Sequence, residues 1–333
     1  LGLGVLWPTA FSLLSDLFES EERGRATGLM TAISFAGSIA AYGILPPIAA
    51  RSPEAWRTGF VVMGVASAAS GLLLLFINDP PRGASEPELN DIIDQESAAQ
   101  FRFQLKDLPD LFKVPTWRVM LIQNSIDQVA MAVLYAWAFT WFDTIGLGES
   151  GFIAMALISI GNLVGHIFFG WLGDRLEKRF KRIGRAMMGA VGLGVSVPAL
   201  IGFIALGDRG LAYLLPFGLL VGLSLSSIGS GAQWPITQGV LRPELRASGR
   251  AVLDMAVGIV GAIALSFSGY LVNRFDVGRM MLLMIPLPKL LSTLSWLPVF
   301  RTYPNDREVL HNELHDRRKK LLTEDDSGQP QKE

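Results

Sequence analysis

Three polar side chains interrupt an otherwise apolar stretch of this chain and are the first candidates for chemistry. Asn124, Asp127 and Gln128 lie three and four positions apart within residues 117–142, so they share one face of a predicted helix. A carboxylate beside two amides can bind a cation, a proton or a polar group of a solute. The alternative is that these groups clamp neighbouring helices together by hydrogen bonds.

Five further candidates lie in later apolar stretches of the sequence. Asn162 precedes His166 by one helical turn, and an imidazole that titrates near neutral pH can relay a proton. Asp254 is expected at a similar depth, where it can pair with His166. Gln233 and Trp234 can hydrogen-bond to a solute and stack on it. A structural histidine that donates to a carbonyl is the alternative for His166.

Nine long apolar segments position these residues. Half of the residues are hydrophobic and 18% are charged, below the roughly 25% of a soluble domain. A membrane-spanning helix needs about 20 mostly apolar residues. The predicted spans are residues 1–17, 26–48, 59–77, 117–142, 151–172, 186–207, 211–233, 250–272 and 278–300. We therefore expect an all-α, polytopic membrane protein.

Composition excludes several other kinds of site. The chain has no cysteine and three histidines, so we expect no disulfide, no thiol chemistry, no metal site and no bound cofactor. The net charge of −1 gives no indication of a nucleic-acid partner. No phosphate-binding G-x-x-x-x-G-K-[ST] segment is present. Only His166 supplies an intramembrane imidazole, so we do not expect an enzyme.

The sequence contains an internal repeat. Trp7-Pro8-Thr9 and Arg25-Ala26-Thr27-Gly28 return as Trp234-Pro235-Ile236-Thr237 and Arg246-Ala247-Ser248-Gly249. The second of these arginines lies 221 positions after the first (246 − 25). Repeats of several helices build many secondary transporters, with the substrate site between the two halves.

Lysine and arginine are concentrated in alternate loops, which predicts the orientation of the chain. The loops around residues 23–25, 175–185 and 242–250 are the basic ones, and basic loops face the cytoplasm. The tail falls on the same side, so we predict a cytoplasmic C-terminus. The sequence does not specify a plasma or an organelle membrane.

Two segments on that side have their own patterns. Leu105, Leu108, Leu111 and Phe112 predict a short amphipathic turn on the membrane surface. The tail contains Arg317-Arg318-Lys319-Lys320, which can contact anionic membrane lipid. The alternative is a tail that is simply solvated.

Three loop motifs together resemble those of the major facilitator superfamily. Gly170-Trp171-Leu172-Gly173-Asp174-Arg175 is similar to its G-x-x-x-D-R signature, although Glu177 occupies a position that is usually glycine. Residues 21–28 resemble the loop between the family's helices four and five. Trp56-Arg57 resembles the start of helix six. The resemblance covers roughly residues 1–300.

The resemblance implies a division of the chain. Residues 1–77 would be a partial N-terminal half with helices four to six, and residues 78–116 a cytoplasmic linker. Residues 117–300 would hold helices seven to twelve, and residues 301–333 a cytoplasmic tail. Nine of the family's twelve helices are expected, so the chain is interpreted as a fragment that lacks the first three.

The resemblance also implies a gate and a function. Asp174 would cap a helix of the opposite half near Arg25, with Gly170 and Arg175 in the same gate. The expected function is secondary or facilitative transport of a small solute by alternating access, with a proton as an additional coupling ligand. The antiporter signature of the family's helix five is not reproduced, which favours symport or uniport. A non-transporting receptor-like or regulatory truncated relative is the alternative.

Lys289 fits none of these expectations. It lies in the middle of the last apolar segment, after two prolines. The sequence assigns it no role.

Overall fold

The computed structural model describes residues 2–19, 21–49, 52, 54–73, 76 and 105–326, and all of the longer regular elements in these ranges are helices. Most of the predicted linker and the last residues of the tail lie outside the described residues. The helices are α1 Gly2–Leu17, α2 Arg23–Ala49, α3 Trp56–Leu73, α4 Leu108–Leu111, α5 Pro115–Thr144, α6 Gly151–Arg179, α7 Gly184–Ala205, α8 Leu211–Ile228, α9 Trp234–Gly239, α10 Arg246–Val272, α11 Val277–Met284, α12 Pro286–Ser295 and α13 Val299–Asp326.

The described residues contain six helical segments that are long and apolar enough to cross a membrane. They are Pro115–Thr144, Ile153–Arg179, Gly184–Ala205, Leu211–Gly239, Pro243–Val272 and Val277–Ser295. The predicted all-α membrane fold is thus confirmed, whereas the count of nine spans is not exact. The helix α1, for example, has 16 residues, fewer than the roughly 20 that cross the hydrocarbon core. Below, α1–α3 are called the first half and α5–α12 the second half.

Two of the spans contain an irregular turn. A π-helical turn, Gly229–Gln233, joins α8 to α9 within one continuous helical segment. The last span divides at Ile285, where α11 ends and Pro286 begins α12. Proline lacks the N–H that would continue the helical ladder and suits the first turn of a new helix. The prolines before Lys289 therefore restart the helix rather than end it.

The short turn before α5 packs on the bundle. Leu111 is fully buried, in the same apolar cluster as Trp117 and Trp296. The side chain of Leu111 is therefore covered by the second half, whereas Phe112 beside it is 50% exposed. The indole of Trp296 donates to the main-chain oxygen of Ala186 at 2.8 Å, which ties the end of α12 to α7.

The tail is packed on the protein over residues 299–320, while Lys319 and Lys320 of the predicted lipid-contacting cluster are exposed. It forms the polar helix α13, whose Tyr303, Leu310 and Leu314 are buried. Arg317 donates to Glu244 at 2.8 Å and to Glu313 at 3.0 Å. The first arginine of the predicted lipid-contacting cluster is thus bonded to carboxylates of the protein.

Tyr303 offers a spectroscopic test of this docking. Burial, together with the nearby Glu177 carboxylate, raises the pKa of Tyr303 from 10.0 to about 12. Because the docked state holds the phenolic proton more tightly than the undocked state, docking is fully stable below about pH 10 and weakens as the pH rises toward 12.

We expect Tyr303→Phe to remove the latest tyrosinate signal from an ultraviolet pH titration. Tyr213→Phe, which replaces a tyrosine that is 48% exposed, provides the control and should leave this latest signal in place. A titration curve whose late phase survives Tyr303→Phe would contradict the buried position of Tyr303.

Candidate functional site

A buried ion pair joins α5 to α12. The Nζ atom of Lys289 lies 2.7 and 2.9 Å from the two carboxylate oxygens of Asp127. The lysine side chain is completely buried, whereas that of Asp127 is 17% exposed. Ser292, one turn after Lys289, donates to the same carboxylate at 2.8 Å. The structure thus gives Lys289 a partner, as a charge within a membrane span requires.

Hydrogen bonds extend this pair to a third helical segment. Gln123 donates to the hydroxyl of Ser292 at 2.8 Å, and Gln233 donates to Gln123 at 2.6 Å. Gln233 is the last residue of the π-helical turn. The polar network therefore connects α12, α5 and the junction of α8 with α9, all within the second half.

The other amides predicted for the site have different surroundings. Asn124 donates to the oxygen of Met120 in its own helix at 2.7 Å. Asn162 likewise donates to Ile158 at 3.1 Å. Gln128 lies against α10, where a Cβ placed on Gly261 would be 3.1 Å from its amide nitrogen. Of the predicted set, Asp127 and Gln233 share the network, and Asn124 reaches it through a 3.4 Å hydrogen bond to Gln123. The amide nitrogens of both asparagines are also bonded to main-chain oxygens of their own helices.

A row of four rings crosses between the halves. His166 is stacked on Trp234 at 5.4 Å and 8°, and on Phe35 at 5.4 Å and 20°. Trp234 in turn meets Phe11 at 5.2 Å. Because Phe11 and Phe35 belong to the first half, the predicted His166 and Trp234 lie at the contact between the halves.

The predicted pair of His166 with Asp254 is not formed. Asp254 accepts from Arg250, one turn earlier in α10, at 2.9 Å, while Nδ1 of His166 lies 3.1 Å from the hydroxyl of Ser230. The guanidinium of Arg250 also lies 4.8 Å from the ring centroid of Phe11. Asp254 is thus paired with Arg250 of its own helix in place of the predicted imidazole of His166.

Asp174 joins the second half to the start of α2 in the first half. Its carboxylate accepts from the backbone N–H of Gly24 at 3.1 Å and of Arg25 at 2.7 Å. The first N–H groups of a helix have no acceptor within the helix, and the helix dipole favours an anion there. Arg185 donates to the same carboxylate at 2.5 Å. We call the part of the bundle around these residues the charged end.

Glycines allow the two halves to approach closely beside this contact. A Cβ on Gly170 would overlap the main-chain oxygen of Gly24, and a Cβ on Gly28 would overlap that of His166. The helices α2 and α6 therefore touch backbone to backbone, which brings the carboxylate of Asp174 within reach of the N–H groups of α2.

Arg185, rather than Arg175, is the cation beside Asp174. The guanidinium of Arg175 instead lies over the ring of Trp171, 5.4 Å from its centroid. Arg185 is almost completely buried, but its sequence context does not distinguish it, because it ends a loop with several other basic residues. Its place directly before an apolar segment was the only signal.

A second set of polar contacts crosses the charged end. Arg246, in the second copy of the sequence repeat, lies 3.8 Å from Asp16 of the first half. Gln238 donates to the main-chain oxygen of Phe11 at 3.2 Å. The two halves are thus held together here by α2 against α6 and by α1 against α9 and α10.

These features define a class of protein: an integral, multi-pass helical membrane protein whose two parts are closed against each other at one end. The sequence model of the Major Facilitator Superfamily matches residues 1–265. The chain belongs to that family. No curated protein matches it.

Solved structures of one transporter share its fold. The proton:xylose symporter XylE bound to 6-bromo-6-deoxy-D-glucose is 16% identical, with a TM-score of 0.61. The alignment covers 87% of this chain and 66% of XylE. A XylE double-tryptophan mutant is also 16% identical, with a TM-score of 0.63 and coverages of 89% and 69%. At this identity the likeness shows the fold alone, and the chain spans about two thirds of these proteins' length.

The buried ion pair can be tested by a double-mutant cycle. We expect Lys289→Met to destabilise the purified protein by about 3–5 kcal/mol, because it leaves the Asp127 carboxylate without its cation. Adding Asp127→Asn should recover part of that loss, since no charge remains. Thermal unfolding in detergent measures both effects.

The matched control is the pair of Arg279 with Asp276, whose side chains are 77% and 61% exposed. Arg279→Met should change the unfolding temperature little, because exposed pairs contribute at most about 1 kcal/mol. Equal losses from Lys289→Met and Arg279→Met would refute the role assigned to Lys289.

Proposed function

We propose that this chain carries a small solute across a membrane by alternating access, as a secondary or facilitative carrier. The observation that carries the proposal is the contact of Asp174 with the start of α2 at the charged end. This contact consists of two hydrogen bonds from the other half, together with the adjacent Arg185. Such contacts can break and re-form as two rigid halves rock about a central site.

The proposed solute site includes Asn124, Asp127 and Gln128 on α5. Because Lys289 already balances the charge of Asp127, a neutral polar solute fits the partly exposed carboxylate better than a free cation. A coupling proton is proposed as an additional ligand of the protein. XylE is described as a proton:xylose symporter, which makes xylose a sensible first test solute. His166 and Trp234 lie at the contact between the halves. The proposed site is completed by Asn162, Gln233 and Asp254.

We further propose that the charged end faces the cytoplasm and that the protein is not an enzyme. The basic loops lie at this end, and basic loops are retained on the cytoplasmic side. The helix α13 packs against the same loops, through Arg182 and Arg317, so the C-terminus is proposed to be cytoplasmic. Members of this family are typically carriers without chemical catalysis.

Asp174→Asn should open the charged end. The substitution keeps a carbonyl oxygen for one N–H group but loses the charge that pairs with Arg185. In a chain without cysteine, a cysteine introduced at the fully buried Thr27 reports opening through its maleimide labelling rate. We expect labelling to rise roughly tenfold, as loss of a charged hydrogen bond implies. An unchanged rate would count against the gate.

Asp127→Asn should abolish or decouple uptake while the protein remains in the membrane. Uptake of xylose and of protons into proteoliposomes is the measurement, with the exposed Asp143→Asn on the same helix as the control. Unchanged uptake and pH dependence in Asp127→Asn would remove Asp127 from the site. If the unsubstituted chain moves no solute from a broad panel, the non-transporting alternative is supported instead.

A further inference from the structure

Glu177 occupies the position at which this chain departs from its family's loop signature. In the structure its carboxylate binds the tail helix α13. The side chain is 3% exposed. It accepts from the hydroxyl of Tyr303 at 3.1 Å and from the guanidinium of Arg307, both on α13. It also accepts from the backbone N–H of Arg185 at 3.2 Å. A buried carboxylate needs such donors, and α13 supplies two of them.

Arg185 connects these contacts to the gate. Its backbone N–H, at the start of α7, is bonded to Glu177, and its guanidinium is bonded to Asp174 at 2.5 Å. Asp174 in turn holds the N–H groups of Gly24 and Arg25. Three residues therefore connect α13 to the first half by a chain of contacts. They are Glu177, Arg185 and Asp174, each bonded to the next.

We propose that α13 is a latch for the charged end, in which Tyr303 and Arg307 hold Glu177 and thereby position Arg185 against Asp174. The inference rests on the proposed function, because a gate that opens is what a latch regulates. Glu177, Tyr303 and Arg307 are positioning residues, since they act on the gate through Arg185. Undocking of α13 loosens Arg185 and favours the open state.

Val299 and Tyr303 anchor the beginning of α13 in a large apolar core, whereas the rest of the helix is held mainly by polar contacts and is suited to release. Within the described residues, Leu310 and Leu314 form a small apolar cluster of their own, apart from the two large cores. An open cavity of about 430 Å³ separates α13 from Glu19 and Glu21 of the first half. Water thus reaches the rim of the latch, and the described polar path from Tyr303 and Arg307 to α2 runs through the second half.

The labelling assay with cysteine at position 27 tests the latch in the full-length chain. We expect Arg307→Gln and Tyr303→Phe each to raise the labelling rate several-fold, up to roughly tenfold, as loss of a hydrogen bond to a charged group implies. Arg307→Lys should restore much of the slow rate, because it keeps the cation beside Glu177. A general weakening of the fold would not be rescued in this way.

Glu308→Gln is the matched control. It removes the negative charge that Glu308 presents to Arg182 at 2.8 Å. These side chains are 53% and 58% exposed, and Glu308 directly follows Arg307 on the same helix. Its labelling rate should equal that of the reporter alone. Equal acceleration by Glu308→Gln and Arg307→Gln would overturn the route through Glu177.

Elution as a single species in detergent establishes that each variant is folded. Unchanged labelling in folded Arg307→Gln and Tyr303→Phe overturns the latch. The labelling assay needs no solute, so it is independent of transport. If the parent chain moves no solute but the variants show the expected labelling rates, only the proposed function is refuted. Transport by the parent chain with unchanged rates in both variants refutes the latch alone.

Discussion

The closure of this molecule depends on one carboxylate that completes a helix of the other half. The first N–H groups of α2 have no acceptor within their own helix, and Asp174 supplies one from α6. The contact requires backbones close enough for a short side chain, which Gly24 and Gly170 permit. It also requires a cation to balance the buried charge, which Arg185 provides. The contact thus needs the free N–H groups of α2, the close approach of the two backbones and the charge of Arg185 at the same place.

The ion pair of Lys289 with Asp127 serves a different purpose, because it lies entirely within the second half. Together with Ser292 and the two glutamines, it fixes α12 and α5 to the junction of α8 with α9. Alternating access requires that each half move as a unit. Because polar bonds hold the helices of the second half together, a movement at the charged end can displace the whole second half as one body.

The local features of the fold were predictable from the sequence, and the long-range partners were not. Apolar length gives the spans, and the loop signature placed Asp174 near the start of α2. The partner of Lys289 lies 162 positions away, and no local pattern connects the two. Arg185 resembles other arginines of a basic loop. The docking face of α13 is formed by Tyr303, Leu310 and Leu314, which are spaced by seven and four positions, as on one face of a helix. The segment is so polar overall that its sequence did not predict a packed helix.

The π-helical turn between α8 and α9 has a consequence for evolutionary comparison. Such a turn accommodates one residue more than an α-helix would over the same length. Since each residue rotates an α-helix by about 100°, converting this turn to α-helix with all of its residues kept would swing Trp234 away from His166. Losing one residue at the same time would leave Trp234 on its present face. Relatives with an uninterrupted α-helix at this place can therefore be matched, face for face, on both sides of Gly229–Gln233 only with a one-residue gap.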